Sequence, residues 1–316
     1  MNMKNTFPNG IWPVMLTPFT EDNRIDYSAL EKLIHWYEEN GADGLFAVCQ
    51  SSEMFFLSLT ERVELASFIK KESRLPVIAS GHISEAFEEQ VRELNAMADT
   101  GIDALILITN RLARKEEPEE VLLNNLDALA RQLPDTLPLG FYECPYPYKR
   151  LLTPETIQYC VETGRFHFIK DTSCDTSHMG WKLELIRDSE LKLYNANTAT
   201  LLETLELGAS GYSGVMANFH PALYKWLYSS FKEKPEEARL LQQFLTMCSC
   251  IEAYNYPVIA KYAQQLLGNG MTMVCRKPEA APLSYSERTS VEQLLEITGY
   301  MEAKYNIDLS AKFPCQ

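Results

Sequence analysis

Three short segments carry side chains with the makings of chemistry. Lys170 ends the apolar run Phe166-His167-Phe168-Ile169. A primary amine held where water is scarce loses proton affinity, and the free amine attacks a ketone to give a Schiff base. The competing reading is a lysine that snorkels out to solvent or to the adjacent Asp171. Tyr142 ends Leu139-Gly140-Phe141; its phenol could shuttle a proton or hydrogen-bond a bound carboxylate, or it could be a core aromatic with a satisfied hydroxyl. Gln50-Ser51-Ser52 follows a further apolar run. Its hydroxyls and turn N–H groups could cradle a carboxylate without a full positive charge, or form an ordinary turn.

These segments need a scaffold that brings strand ends together. A helical stretch, a Gly-containing turn and a short apolar run recur along the chain: Gly41-Ala42-Asp43-Gly44 precedes residues 45–49, Gly101-Ile102-Asp103-Ala104 precedes 105–108, and Gly208-Ala209-Ser210-Gly211 precedes 212–215. A Gly just past a helix takes the left-handed conformation that ends it, and runs this short and apolar read as buried strands. Residues 11–17, 76–80, 137–142, 166–171 and 191–195 read the same way, which makes eight strands alternating with helices. Asp26, Pro118 with Glu119 and Glu120, and Thr153-Pro154-Glu155 supply helix starts. Eight such units most simply close into an α/β (β/α)8 TIM barrel, whose active site lies at the C-terminal ends of the strands. After about residue 232 the strand pattern stops. Residues 236–253, 257–267 and 286–300 are helical by periodicity, so the expected organisation is a catalytic barrel over 1–232 and a C-terminal helical domain over 233–316. An open doubly wound sheet would want a Gly-rich loop after its first strand, and Thr17-Pro18-Phe19-Thr20 is not one.

Composition removes several function classes. The chain has 316 residues, 46% hydrophobic and 23% charged, with a net charge of −14. That balance is globular, and its sign repels phosphate backbones and anionic lipid, so neither nucleic acid nor a membrane is an expected partner. No apolar run approaches the ~20 residues of a membrane span. The opening Met1-Asn2-Met3-Lys4-Asn5-Thr6-Phe7-Pro8 lacks the apolar core of a signal peptide. The eight cysteines include no C-x-x-C pair, and the five histidines are scattered. Neither a metal site nor a disulfide framework is expected; Cys49, Cys160 and Cys275 read as buried free thiols of a reduced, cytoplasmic protein.

Taken in order along eight strands, the motifs resemble the dihydrodipicolinate synthase/N-acetylneuraminate lyase family of class I aldolases and lyases. Gly10 to Phe19 is similar to the family's opening strand with its T-P-F ending, and Gly41 to Glu53 to its G-x-D-G-L strand and G-[TS]-T-G-E turn. Pro76-Val77-Ile78-Ala79 resembles the third strand, and Phe141-Tyr142-Glu143-Cys144-Pro145 stands where the family has Y-N-x-P. Ile169-Lys170-Asp171-Thr172-Ser173 matches the Schiff-base lysine motif G-[IL]-K-[DE]-[AST]-[ST]; Gly214-Val215-Met216-Ala217-Asn218 resembles the segment after the eighth strand and adds Val215 to the substrate-binding candidates. The resemblance implies a barrel with a helical C-terminal domain, usually tetrameric or otherwise a homo-oligomer such as a dimer. It implies that Lys170 captures a small-molecule 2-oxo acid, typically pyruvate, as an imine, with no metal or organic cofactor. Tyr142 would relay protons, and Ser51 with the turn N–H groups would hold the carboxylate.

The departures narrow the activity. Gln50 replaces the first hydroxyl of the turn and Ser52 replaces its Gly, so a rearranged carboxylate site is expected. Synthases of the family have a tyrosine where Thr109 stands, and an arginine a few residues past Y-N-x-P, where Pro145-Tyr146-Pro147-Tyr148 has none. Sialic acid lyases carry an acidic G-[YF]-D-E segment where this chain has Ala196-Asn197-Thr198-Ala199. Neither of those two activities is therefore expected. Glu143, beside Tyr142, could be an added acid, base or hydroxyl ligand, or a loop acid. Arg111, with Arg114 and Lys115, could bind a second carboxylate, or sit in a solvated loop offset by Glu116 and Glu117. His82 and His220 are further candidates near strand ends. The resulting expectation is an imine-forming lyase; its rivals are a sugar-acid dehydratase using the same imine and a ligand-binding barrel that has lost turnover.

Overall fold

Eight short runs, apolar on both faces, pair side by side in parallel: β1 (Gly10–Ile11), β2 (Leu45–Phe46), β3 (Val77–Ala79), β4 (Ala104–Ile108), β5 (Leu139–Tyr142), β6 (Phe166–Asp171), β7 (Lys192–Asn195) and β8 (Gly211–Tyr212). The computed structural model describes residues 7–307; the first six residues of the segment read for a leader, and Cys315, lie outside the described residues. The strand order β1-β8-β7-β6-β5-β4-β3-β2 leaves β1 and β2 as the ends of the row. A parallel bridge from Val14 to Phe46 joins them, with the Met15 and Phe46 amides donating to Phe46 O and Pro13 O at 3.0 Å each. The ring is closed, and the fold is a (β/α)8 barrel. The strand expected over 11–17 is regular only at its start, because Pro13 and Pro18 bring no N–H to the ladder.

Helices follow the strands as the sequence signals direct. Asp26 accepts the Ser28 and Ala29 amides at 3.1 and 3.0 Å to start Tyr27–Glu39, and Pro154 occupies the first turn of Pro154–Thr163. Gly41, Gly101 and Gly208, at φ of 81°, 80° and 105°, end the helices before β2, β4 and β8.

The interior is an aromatic plug. Trp12, Phe46, Phe168 and Tyr194 meet across the ring, with Phe168 stacked on Tyr194 at 4.2 Å and Trp12 edge-on to Phe168 at 5.2 Å. Side chains alternate faces along a strand, so once Phe168 points inward Lys170 does too, one layer nearer the mouth. Tyr142 pairs with Lys170 in the β5–β6 register. The plug therefore forms the floor on which the lysine and the phenol sit.

Beyond the barrel come the helices Pro235–Cys248, Val258–Leu266 and Tyr285–Lys304. The helix expected over 236–253 stops at Cys248 and tightens into a 3₁₀ turn, Ser249–Ala253, as helix C-termini commonly do. This region is bolted to the barrel mouth: Lys261 donates to Glu53 at 2.5 Å and to Val274 O at 2.6 Å. Among the described residues no helix is long and apolar enough to cross a membrane.

Candidate active site

The C-terminal strand ends and the 249–257 segment enclose a cavity of about 530 Å³. Lys170 lies in it, only 4% exposed, with its Nζ 4.3 Å from the Tyr142 ring centre and 5.7 Å from that of Phe46. No carboxylate forms an ion pair with it among the described residues. Burial pulls the ammonium down to about 8, against weaker opposing influences from Cys49, Cys144 and Glu252. A lysine in this state supplies free amine near neutral pH, which is what nucleophilic attack on a ketone requires.

Tyr142 donates to Gln50 Oε1 at 3.3 Å, and burial holds its phenol well above the ordinary value. It is therefore a proton donor and not a base at neutral pH. Gln50 Oε1 also receives the Cys144 thiol at 3.7 Å.

Ser51 is reached from the C-terminal region. Tyr37 donates to Asn218 Oδ1, and Asn218 Nδ2 donates to Val14 O at 3.0 Å and to Tyr256 Oη at 3.1 Å. Tyr256 then donates to Ser51 Oγ at 2.8 Å. An amide nitrogen can only donate, so contact with Val14 O fixes the Asn218 orientation and with it the direction of the chain. Ser51, already an acceptor from Tyr256, keeps its own proton to offer, and it lines the cavity along with Gln50 and Val215.

Ser52 is turned away. Its Oγ donates to Cys49 O and accepts the Cys49 amide, both at 2.7 Å, so it braces the turn and does not reach the cavity. The positive φ of 61° falls on Glu53, whose carboxylate is held by Lys261, the Arg276 and Lys277 amides and the Cys275 thiol.

Three further candidates do not meet the cavity. Glu143 is fully buried outside the strand ring, receiving the Leu152 and Thr172 amides at 2.9 Å each and Lys182 Nζ at 2.5 Å. Strand alternation explains it: with Tyr142 inward, its neighbour faces outward. Thr109 donates to Arg150 O at 2.6 Å, because the chain turns into the helix Thr109–Leu112 straight after β4. Arg111, carried on that helix, stacks on Phe55 at 5.5 Å and lines a separate concavity with Arg114 and Lys115. His82 is also structural: Ile108 N–H donates to its Nε2 at 2.7 Å and Nδ1 meets Gln90 Oε1 at 3.2 Å, and burial lowers it to about 4. Of the thiols, Cys49 and Cys160 are buried, whereas Cys275 is half-buried on Glu53.

Two cavity groups escaped the sequence reading, Tyr256 and Glu252. Glu252 falls in the stretch read as the end of a helix, Tyr256 in the link that follows it, and no motif marks either. Glu252 is half-buried, and burial raises its carboxyl to about 7 against the opposing pull of Lys170.

A closed (β/α)8 barrel with an unpaired, desolvated lysine in a cleft at its mouth defines the class. Residues 7–298 match the dihydrodipicolinate synthetase family, and the chain belongs to it. Its members are class I lyases, and this protein is an enzyme of that kind. The 4-hydroxy-tetrahydrodipicolinate synthase of Archaeoglobus fulgidus is 27% identical over 282 residues, covering 88% of this chain and 93% of the relative. That of Methanosarcina mazei is 26% identical over 295 residues, covering 93% and 99%. Among solved structures, YagE of E. coli, a dihydrodipicolinic acid synthase family protein in complex with pyruvate, superposes with a TM-score of 0.82 at 23% identity, covering 92% of this chain and 98% of that one.

Proposed function

We propose that Lys170 forms an imine with pyruvate or a related 2-oxo acid and that the enzyme makes or breaks a carbon–carbon bond next to it. The observation that carries this reading is the isolation of the Lys170 amine: buried in the cavity, set against two aromatic faces and, among the described residues, in an ion pair with no carboxylate. The amine attacks the 2-oxo carbon, and Tyr142 gives a proton to the departing hydroxyl as the carbinolamine collapses; solvent water at the open cavity returns that proton to the phenol, so one proton is taken up from solvent and the iminium carries its charge. The protonated imine then accepts electrons from C3, so no metal or organic cofactor is required. Ser51, with its hydroxyl proton free, donates to the substrate carboxylate, and Gln50 and Val215 bound the same corner.

The second component is neither that of dihydrodipicolinate synthesis nor sialic acid. Among the described residues no arginine lines the cavity to take a second carboxylate, its outer cations being Lys149, which donates to Thr172 O at 2.6 Å, and the exposed Lys277, and the segment after β7 offers Asn197 in place of an acid. A 2-oxo acid with a neutral, hydroxylated remainder fits these polar groups better. Dehydration through the same imine is the nearest alternative, and the half-buried acid Glu252 is the observation that favours keeping it in view. The working form in this reading is a homo-oligomer, a tetramer or a dimer.

Borohydride reduction with pyruvate, followed by peptide mass analysis, tests the proposal. A pyruvate-derived adduct on the Lys170 peptide is the expected result. An unmodified Lys170 across a panel of 2-oxo acids overturns it. Product analysis then separates cleavage, which releases pyruvate and an aldehyde, from dehydration, which leaves a deoxygenated oxo acid.

A further inference from the structure

Making an enamine from an imine needs a base for the C3 proton, and most groups facing the cavity cannot serve. Tyr142 is a protonated phenol whose hydrogen bond ends on Gln50, a side-chain amide that accepts but passes no proton on. The Tyr256 proton is committed to Ser51. Glu53 spends its carboxylate on Lys261 and two backbone amides at the cavity edge. Glu279 stands on the exposed link beyond Arg276, at the rim. Glu252 differs from all of these: it lines the cavity, it is half-buried, and among the described residues it has neither a hydrogen bond nor an ion pair. It is also near enough to Lys170 for the two charges to influence each other.

We propose that Glu252, supplied by the C-terminal 3₁₀ turn, is the catalytic base that takes the C3 proton of the Lys170-bound imine. The inference rests on the imine reading of Lys170. Its carboxylate removes the proton, the C–H electron pair becomes the C2–C3 double bond of the enamine, and the iminium nitrogen is neutralised. When the enamine carbon bonds to an incoming carbonyl, the Glu252 acid returns that proton to the new alkoxide. Cleavage runs the same transfers backwards, so protons and electrons balance with no other reactant. The division of labour follows from environment, with Tyr142 kept as an acid and Glu252 ionising near neutrality.

Several titratable groups lie within electrostatic reach of Glu252. Lys170 comes from β6, Cys174 from the loop after it, Tyr212 from β8, Tyr224 from the helix Pro221–Ser230, and Tyr256 from its own segment. Lys149, Lys277 and Glu279 line the same cavity. Burial pulls Lys170 down to about 8, near enough to overlap the Glu252 titration.

Hydrogen–deuterium exchange at C3 of pyruvate, followed by NMR in D2O, tests the proposal without a second substrate. The wild-type protein should exchange, and Glu252→Gln should exchange about 100-fold more slowly, the loss expected for a missing general base. The borohydride adduct on Lys170 should persist in that variant. Exchange per mole of trapped imine should fall in the wild type as pH drops through about 7, and be flat in Glu252→Gln. If Glu252→Gln destabilises the fold, Glu252→Ala with added formate replaces it, with recovery of exchange as the expected result. Exchange within twofold of wild type in Glu252→Gln, no formate rescue, or a wild type that forms the adduct without exchanging, overturns the proposal. Absence of the adduct in the wild type defeats the imine reading instead.

Discussion

Lys170 and Lys182 lie on consecutive elements, both out of contact with bulk water, in opposite electrostatic settings. Lys182, on the helix Thr176–Ile186, sits between Glu143 and Asp171 at 2.5 and 2.6 Å with all three side chains fully buried. Burial works against its charge, but the two carboxylates overcome it and leave the ammonium above its ordinary value. Lys170 faces aromatic rings and thiols, no carboxylate among the described residues forms an ion pair with it, and burial outweighs the weaker pull of Cys49, Cys144 and Glu252. Placing a lysine in the protein interior therefore decides nothing about chemistry. The partner does. The outer lysine is a clamp between β5, β6 and their covering helix, and the inner one is the amine of the proposed imine chemistry.

Replacing each lysine by methionine should separate these roles most sharply. Lys170→Met should abolish the borohydride adduct outright while raising the melting temperature. In the folded chain Lys170 loses its proton near 8, against 10.5 ordinarily. Between those values the unfolded state holds the extra proton, so stability rises with pH across that window. The full penalty, roughly 3 kcal/mol, is present below it, and methionine removes it. Lys182→Met should do the reverse. Two buried carboxylates lose their shared cation, which costs about 3–5 kcal/mol, while whatever folds still forms the adduct. Calorimetry alongside peptide mass analysis reads both. A Lys182 variant as stable as wild type, or a Lys170 variant less stable, breaks the contrast.

Giving Lys170 a partner should make it resemble Lys182. Cys144 already acts on it weakly from the strand end. In Cys144→Asp a carboxylate would hold the ammonium above 8, and at pH 7 imine formation should slow about tenfold for each unit gained. In the wild type the rate of adduct formation with pyruvate should climb with pH and level off above about 8. Cys144→Asp should move that plateau upward. A profile that does not move would mean that burial alone sets the amine and that a partner carboxylate does not, which breaks the contrast with Lys182.

Much of this contrast was legible from the chain, and the exceptions have specific causes. The strand read over 166–171 coincides with Phe166–Asp171, because six residues apolar enough to be buried and bounded by Gly164 and the Asp175 cap leave little choice. Two-residue periodicity within that strand and β5 places Lys170 and Tyr142 inward. The same periodicity, carried one residue further, puts Glu143 and Asp171 outward, so Glu143 was a clamp acid by pattern even though proximity to Tyr142 made it a site candidate. Thr109 and Arg111 depended on where β4 turns into a helix, which no local signal marks. Glu252 and Tyr256 lie 82 and 86 residues beyond Lys170 in an irregular turn. The bonds of Lys261 to Glu53 and of Tyr256 to Ser51 and Asn218 bring that turn to the mouth, long-range pairings that no short window of sequence contains.

The smallest expected effect concerns how the Ser51 corner would hold the carboxylate of the proposed 2-oxo acid. Lys182 binds its carboxylates by charge; the cavity corner at Ser51 has only a directed hydroxyl. Tyr256→Phe removes the hydroxyl that donates to Ser51 Oγ at 2.8 Å, so Ser51 is free to turn its proton elsewhere, including toward its own turn. A single neutral hydrogen bond is worth about 1 kcal/mol net, so KM for pyruvate should rise about fivefold. The maximal trapping rate should stay within twofold and its pH plateau near 8, because nothing beside the amine has changed. Initial rates of adduct formation against pyruvate concentration distinguish the outcomes. A fall in the maximal rate at unchanged KM would move Tyr256 from carboxylate orientation into proton transfer, and the site would then hold its substrate by something other than the Ser51 hydroxyl.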